Sequence, residues 1–237
     1  MEIGCESASI ITDERLFTLT SYNISFIGRY LNYAKYLHSR LSPSEAQRIS
    51  AAGLYIVSIY GGDSMGKASF YTYDRGKKDV IEALSMAIKI GQPSNTPIYF
   101  AVDCDNGSME MKEYIEPYFQ AISSVIENKK FNPNNYKLGI YGSRRVCAHI
   151  RGRKPATERY TWVADSATSS GYFDDWNIMH GAAVTLGSGN AGVEINRSWA
   201  SEYGDGGWQL HSHTDTVWLT AGSSGDIMRK HDIPLIF

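Results

Sequence analysis

The run Pro97-Ile98-Tyr99-Phe100-Ala101-Val102 is apolar without interruption and then gives way at once to Asp103-Cys104-Asp105-Asn106-Gly107. A strand buried on both faces needs such a run, and strands of that kind belong to parallel sheets covered by helices. Asn-Gly marks the turn that follows. Alternate strand residues share a face, so Asp103 and Asp105 leave the strand end on one side, their Cα atoms roughly 7 Å apart. An isolated D-x-D at a strand exit more often caps the next helix. The remainder of the chain decides between that reading and a chemical one.

Strand-like and helix-like segments alternate along the chain, the pattern of a parallel α/β fold. Strands are expected at Glu2–Glu6, Ile24–Tyr30, Leu54–Tyr60, Pro97–Val102, Lys137–Tyr141 and Tyr160–Asp165. Weaker candidates follow at Trp176–His180 and Gly192–Asn196. A polar helix-compatible stretch spans Thr12–Thr20. Ser42 as N-cap, Pro43 at N1, Glu45 completing a capping box and Gly53 as C′ residue bound the next helix. Apolar residues recur at helical spacing from Asp74 to Ile90 and again from Tyr114 to Ile126, with Pro117 opening the latter's main body. A further helix carries Val146, Cys147 and Ile150, and helix signals fade after about residue 152. The expected fold is a (β/α)8 barrel with a degenerate second half, over residues 1–200, with a tail at 201–237. Trp208, Trp218 and Ile233–Phe237 make that tail too apolar to stay solvated, so it should dock on the barrel or join an oligomer contact.

A barrel of this kind typically takes about 250 residues, and the chain has 237. The net charge of −2 and the absence of any basic cluster beyond Lys77-Lys78, Lys129-Lys130 and Arg144-Arg145 argue against nucleic acid as a partner. Three cysteines without metal-ligand spacing imply no disulfide framework. No transmembrane run occurs, and the start Met-Glu-Ile-Gly lacks a basic or apolar leader. Synthesis in the cytoplasm without a signal peptide is therefore expected. The 16 Tyr and 5 Trp suit either sugar stacking or an aromatic core.

Chemistry in such a barrel sits at the C-terminal ends of the strands. Glu6, Arg29, Tyr30, Tyr60, Asp103, Asp105, Tyr141 and Asp165 all fall at strand ends, and Glu194 lies in the last strand. Paired carboxyl groups, one protonated and one ionised, are what glycoside hydrolysis requires. If Glu6, Asp103 and Asp105 face inward, Cys5 and Cys104 face the helix layer as small apolar residues. No histidine follows Cys104 at a spacing that suggests a nucleophile. His211-Ser-His213-Thr-Asp215 resembles a metal motif, but it falls in the tail with no further ligand after it except His231. No metal and no cofactor are expected.

These residues resemble the bacterial glycoside-hydrolase-like domains related to family-25 lysozymes, which occur in phage endolysins and cell-wall-associated proteins. The likeness runs over residues 3–197. It is carried by Gly4-x-Glu6, Phe26-Ile-Gly-Arg-Tyr30, Leu41-Ser-x-x-Glu45-Ala, Ala52-Gly-Leu-x-Ile-Val57 and Gly76-Lys-Lys-Asp79. It continues through Gly91-Gln-Pro93, Pro97–Asp105, Gly139-Ile-Tyr-Gly-Ser143 with Cys147, Trp162, and Gly192-Val-Glu-Ile-Asn196. The resemblance implies a lysozyme-like barrel with a sugar groove across the strand ends. Asp103 and Asp105 match the acidic pair, Asp105 as general acid. Tyr141 matches a rim tyrosine, and Glu6 and Glu194 stand where the family has Asp.

The reaction expected from this is muramidase-type cleavage of peptidoglycan or a related amino-sugar glycan. Asp105, Asp103, Glu6 and Glu194 would form the catalytic set, with Arg29, Tyr30, Tyr60, Tyr141, Trp162 and Asp165 binding substrate. The site of action would be the bacterial cell wall, reached after lysis or by non-classical export. The two Glu-for-Asp exchanges motivate an alternative, a non-catalytic glycan-binding or toxin-associated module that keeps the groove. A metal-dependent barrel hydrolase is a third, weaker possibility.

Overall fold

A computed structural model describes residues 2–32, 39–61, 64–102, 104, 107–152, 160–164, 173–202 and 204–210. Eight strands close into one barrel in chain order. They are β1 (Glu2–Glu6), β2 (Phe26–Tyr30), β3 (Tyr55–Gly61), β4 (Pro97–Val102), β5 (Lys137–Gly142), β6 (Tyr160–Val163), β7 (Ile178–Leu186) and β8 (Val193–Ala200). Helices α1 (Asp13–Ser21), α2 (Pro43–Ala51) and α3 (Tyr73–Lys89) fill the first crossovers. A single turn, α4 (Ser108–Glu110), runs through a π-helical stretch into α5 (Glu116–Ile126), and α6 (Arg144–Arg151) follows β5. Among the described residues no α-helix follows α6, in line with the fading helix signals.

The expected all-parallel arrangement needs one correction. Strands β1 to β7 pair in parallel, but β8 runs antiparallel to both β7 and β1. A parallel neighbour needs a crossover of a dozen or more residues, and only the segment 187–192 separates β7 from β8. The pair is therefore a hairpin. Its Glu194 end extends beyond the last β1–β8 pair, Glu6 with Asn196.

Strand alternation sorts side chains into two cores. Phe26, Val57, Ile59, Tyr99, Ala101, Tyr141, Trp162, Ile178 and Ala200 fill the barrel interior. Ile27, Ile56, Ile98, Phe100, Val102, Leu138 and Ile140 pack outward against the helices. Large rings in the interior demand small neighbours: a Cβ on Gly28 would stand 2.4 Å from the Trp162 ring. Close packing of this order leaves no room for an added methyl.

The α2 signals hold in part. Ser42 caps the helix by accepting from the Glu45 amide at 3.1 Å, Pro43 is its first residue, and Gly53 adopts φ +84°. The Glu45 carboxylate, however, does not complete a capping box. It turns instead to Arg29 and to the Ile11 amide at 2.9 Å. Past β8, Trp208 is buried, bridges Ile56 in antiparallel fashion and donates its indole N–H to Ser58 Oγ at 3.0 Å. Tyr99 reaches the Asp205 carbonyl at 2.8 Å, and the Leu210 amide donates to Ser50 Oγ at 2.9 Å. Trp218, His211, His213, Asp215, His231 and Ile233–Phe237 lie outside the described residues.

Candidate active site

Glu6 ends β1 and faces into the barrel mouth, 5% exposed. Its Oε1 accepts from the Tyr30 hydroxyl of β2, and its Oε2 accepts from the Tyr141 hydroxyl of β5 at 2.6 Å. His180 of β7 brings Nε2 to 3.3 Å from the same Oε2. Four strands thus converge on one carboxylate. Each supplies its side chain from the inward parity that Phe26, Tyr99 and Ile178 mark lower in the barrel.

Burial alone pushes the Glu6 carboxyl up. His180, Tyr141 and Tyr30 outweigh that, and the net effect holds it below the ordinary carboxylate range. Glu6 is therefore an anion at neutral and mildly acidic pH. It can stabilise positive charge, and it is a poor proton donor.

Trp162 lies beneath this cluster, fully buried, with Tyr141 stacked on it at 5.0 Å and 20°. Its full burial makes it the floor of the site, whereas a substrate-binding residue was expected here. Its indole N–H is buried and has no hydrogen-bond partner among the described residues. Glu194 sits on the projecting part of β8. Val193 and Ile195 on either side of it are buried in the helix-facing core, so Glu194 takes the opposite, inner parity, and it is exposed. Its backbone carbonyl accepts from Ser7 Oγ at 2.8 Å.

Two expected substrate contacts are placed elsewhere. Arg29 has the parity of Ile27 and points away from the barrel mouth, fully buried. Its Nε bonds Glu45 Oε1 at 2.9 Å, and its other nitrogens donate to the carbonyls of Ser7 and Ser39 and to Ser39 Oγ. Tyr60 likewise faces outward. Its ring lies 5.9 Å from Phe100, and burial, with Asp79 and Glu82 nearby, raises its hydroxyl pKa far above the ordinary value. A residue at a strand end has an even chance of either face, and here the apolar neighbours Ile27 and Phe100 share the outward parity.

Asp103, Asp105 and Asp165 lie outside the described residues. The strand leading to the acidic pair, β4, is buried along its whole length, and Cys104 is buried in the helix-facing core. Cys5 and Cys147 are also buried and free, and burial raises both thiols, Cys147 to about 12. Neither is a thiolate nucleophile at ordinary pH. Among the described residues no three His, Cys, Asp or Glu side chains are grouped to hold a metal ion, and no helix is long and apolar enough to cross a membrane.

His180 was not among the sequence-derived site residues. It closes the strand candidate Trp176–His180, and its i+2 relation to the apolar Ile178 was the available signal for an inward position.

A family model described as the Rv2525c-like, glycoside hydrolase-like domain matches residues 18–202. The chain belongs to this family. It is 32% identical over 228 residues to the uncharacterized protein YbfG of Bacillus subtilis, covering 91% of this chain and 31% of that protein. It spans about a third of the length of the curated relatives it matches. The Tat-secreted protein Rv2525c of Mycobacterium tuberculosis, solved with L-tartrate, superposes with a TM-score of 0.70 at 18% identity, over 87% of this chain and 98% of that one. A lysozyme from Streptomyces coelicolor has a TM-score of 0.50 at 13% identity, over 84% of this chain and 91% of that one. At these identities the structural likeness concerns the barrel fold. The domain is glycoside hydrolase-like by family and by architecture.

Proposed function

We propose that this domain is a peptidoglycan-directed glycosidase of muramidase type. The observation that carries this reading is the Glu6 carboxylate, buried and ionised at the C-terminal mouth of the barrel and held by Tyr30, Tyr141 and His180 from three other strands. A fixed anion at that place suits an oxocarbenium-like transition state, which gains from negative charge that need not reorganise. Asp105 would protonate the glycosidic oxygen, because Glu6 is held ionised and is the wrong group to donate a proton. Asp103 would keep Asp105 protonated and help to position water or the substrate's acetamido group. Glu194 and Asp165 would line the groove, and the bacterial cell wall would be the place of action. A lysozyme among the proteins of like fold supports the choice of glycan.

Purified cell walls provide the test. Release of new reducing ends, abolished in Asp105→Asn, is the expected result. Walls that are bound in a pull-down but never cut would overturn the enzyme reading in favour of the non-catalytic glycan-binding module.

A further inference from the structure

His180 is the third residue of β7, and the β7–β8 ladder breaks register directly after it, between His180 and Ala183. An irregularity of this kind bends a strand and re-aims the adjacent side chain, which is why bulges gather at barrel rims and beside sites. Gly181 belongs to the same device. A Cβ there would stand 2.4 Å from the Trp199 ring and 3.0 Å from the Arg197 carbonyl oxygen. Alternation from the inward Ile178 turns the imidazole into the barrel mouth, and the backbone directly after it is shaped at a cost in sequence freedom.

That imidazole meets Glu6 Oε2 at 3.3 Å, with its side chain 15% exposed. Its ring is edge-on to Tyr141 at 6.1 Å and to Trp162 at 6.5 Å. The titratable groups facing it are Glu6 from β1 and Tyr141 from β5, while Tyr30 of β2 reaches it through Glu6. Trp162 of β6 and the buried Ser198, its pair on β8, bring no charge. Asp103 and Asp105 follow β4 outside the described residues. The two tyrosines give Glu6 hydrogen bonds but no positive charge. Among the described residues, His180 is the basic side chain within ion-pair reach of this carboxylate.

We infer that His180 is the positioning residue of Glu6, its Nε2 fixing that carboxylate at the barrel mouth. For what Glu6 does, the inference rests on the glycosidase reading; the pair itself is independent of it. Coupling between two contacting sites is reciprocal, so removing either partner is felt at the other.

The experiment titrates both partners in the full chain by NMR. The Glu6 side-chain carbon is followed in the parent and in His180→Asn, and the His180 ring protons in the parent and in Glu6→Gln. The Glu6 midpoint should rise without His180, and the His180 ring signals should respond to Glu6→Gln. Should His180→Asn fail to fold, the Glu6→Gln measurement decides alone. Midpoints that stay put would overturn the inference. Where the parent cleaves walls, the acid limb of kcat/KM in His180→Asn should move up in pH with the Glu6 midpoint. A loss that is uniform across pH would mean a merely structural histidine and would also overturn it. A parent that cuts no wall removes the proposed function and leaves the two titrations to judge the pair.

Discussion

Glu6 and Glu45 are buried carboxylates on opposite faces of the same sheet, and they are held by different chemistry. Glu45, in the helix layer, meets the permanently charged Arg29, which also ties down the carbonyls of Ser7 and Ser39. Glu6, in the barrel mouth, meets two neutral hydroxyls and a histidine. A guanidinium fork fixes geometry and cannot give up its proton. Hydroxyls and an imidazole hold the carboxylate without a permanent cation beside it. The outer pair joins β2 to α2 and to the loop after β1, whereas the inner set keeps a usable charge at the place where strands converge. Polar residues at strand ends thus divide by parity into those that hold the barrel and those that face its mouth.

The sharpest test of this division lies on the inner side. If Asp105 is the acid served by the ionised Glu6, Asp105→Asn should lower turnover on cell walls by about 10²–10⁴-fold with an unchanged melting temperature. Equal activity in parent and variant would remove the distinction.

The outer pair should behave in the opposite way. Arg29→Met or Glu45→Gln leaves one buried group unpaired and should cost about 3–5 kcal/mol in urea unfolding, while the double change Arg29→Met/Glu45→Met regains much of it. Activity per folded molecule should hardly change. A variant that stays as stable as the parent but loses glycan binding would return Arg29 to the groove.

Acid stability separates the two carboxylates further. The Glu6 carboxyl is depressed in the folded state and returns to an ordinary value near 4.3 when the chain unfolds. Its contribution is complete above that value and is lost as pH falls through the lower folded one. Glu6→Gln should therefore flatten the acid limb of stability against pH, measured by denaturant titration between roughly pH 2 and pH 5. An unchanged limb would show that Glu6 carries no such linkage.

The smallest effect is expected at the far end of the barrel. Burial first, and then the Glu2 charge, raise the Asp205 carboxyl despite its bond from the Gly207 amide. A raised carboxyl costs stability as pH climbs past its unfolded value toward its folded one. Asp205→Asn should thus stabilise the protein at neutral pH by less than about 1 kcal/mol and do nothing in acid. Loss of stability at pH 7 would contradict this.

Much of the barrel was legible because its signals are local. The apolar run at Pro97–Val102, the Ser42-Pro43 helix start and Gly53 act over a few residues, and the strands and helices stand close to where those signals put them. The place of Glu6, Tyr30 and Tyr141 at strand ends was legible for the same reason, since each closes an expected strand. Arg29 shares the outward parity of Ile27, and Tyr60 pairs with the outward Phe100 only once the sheet forms, but the convergence of polar residues at strand ends drew both into the site.

Sequence alone determined the alternation of elements, the family likeness and the identity of the residues available at the strand ends. Tertiary structure alone decided three further matters. It turned β8 antiparallel, because a short connection after β7 can only fold back. It sent Glu45 to Arg29 in place of its own helix cap, because a buried guanidinium needs a buried carboxylate more than a helix start needs a second acceptor. It brought His180 against Glu6 from the other end of the barrel's chain order, a contact that exists only because the barrel closes.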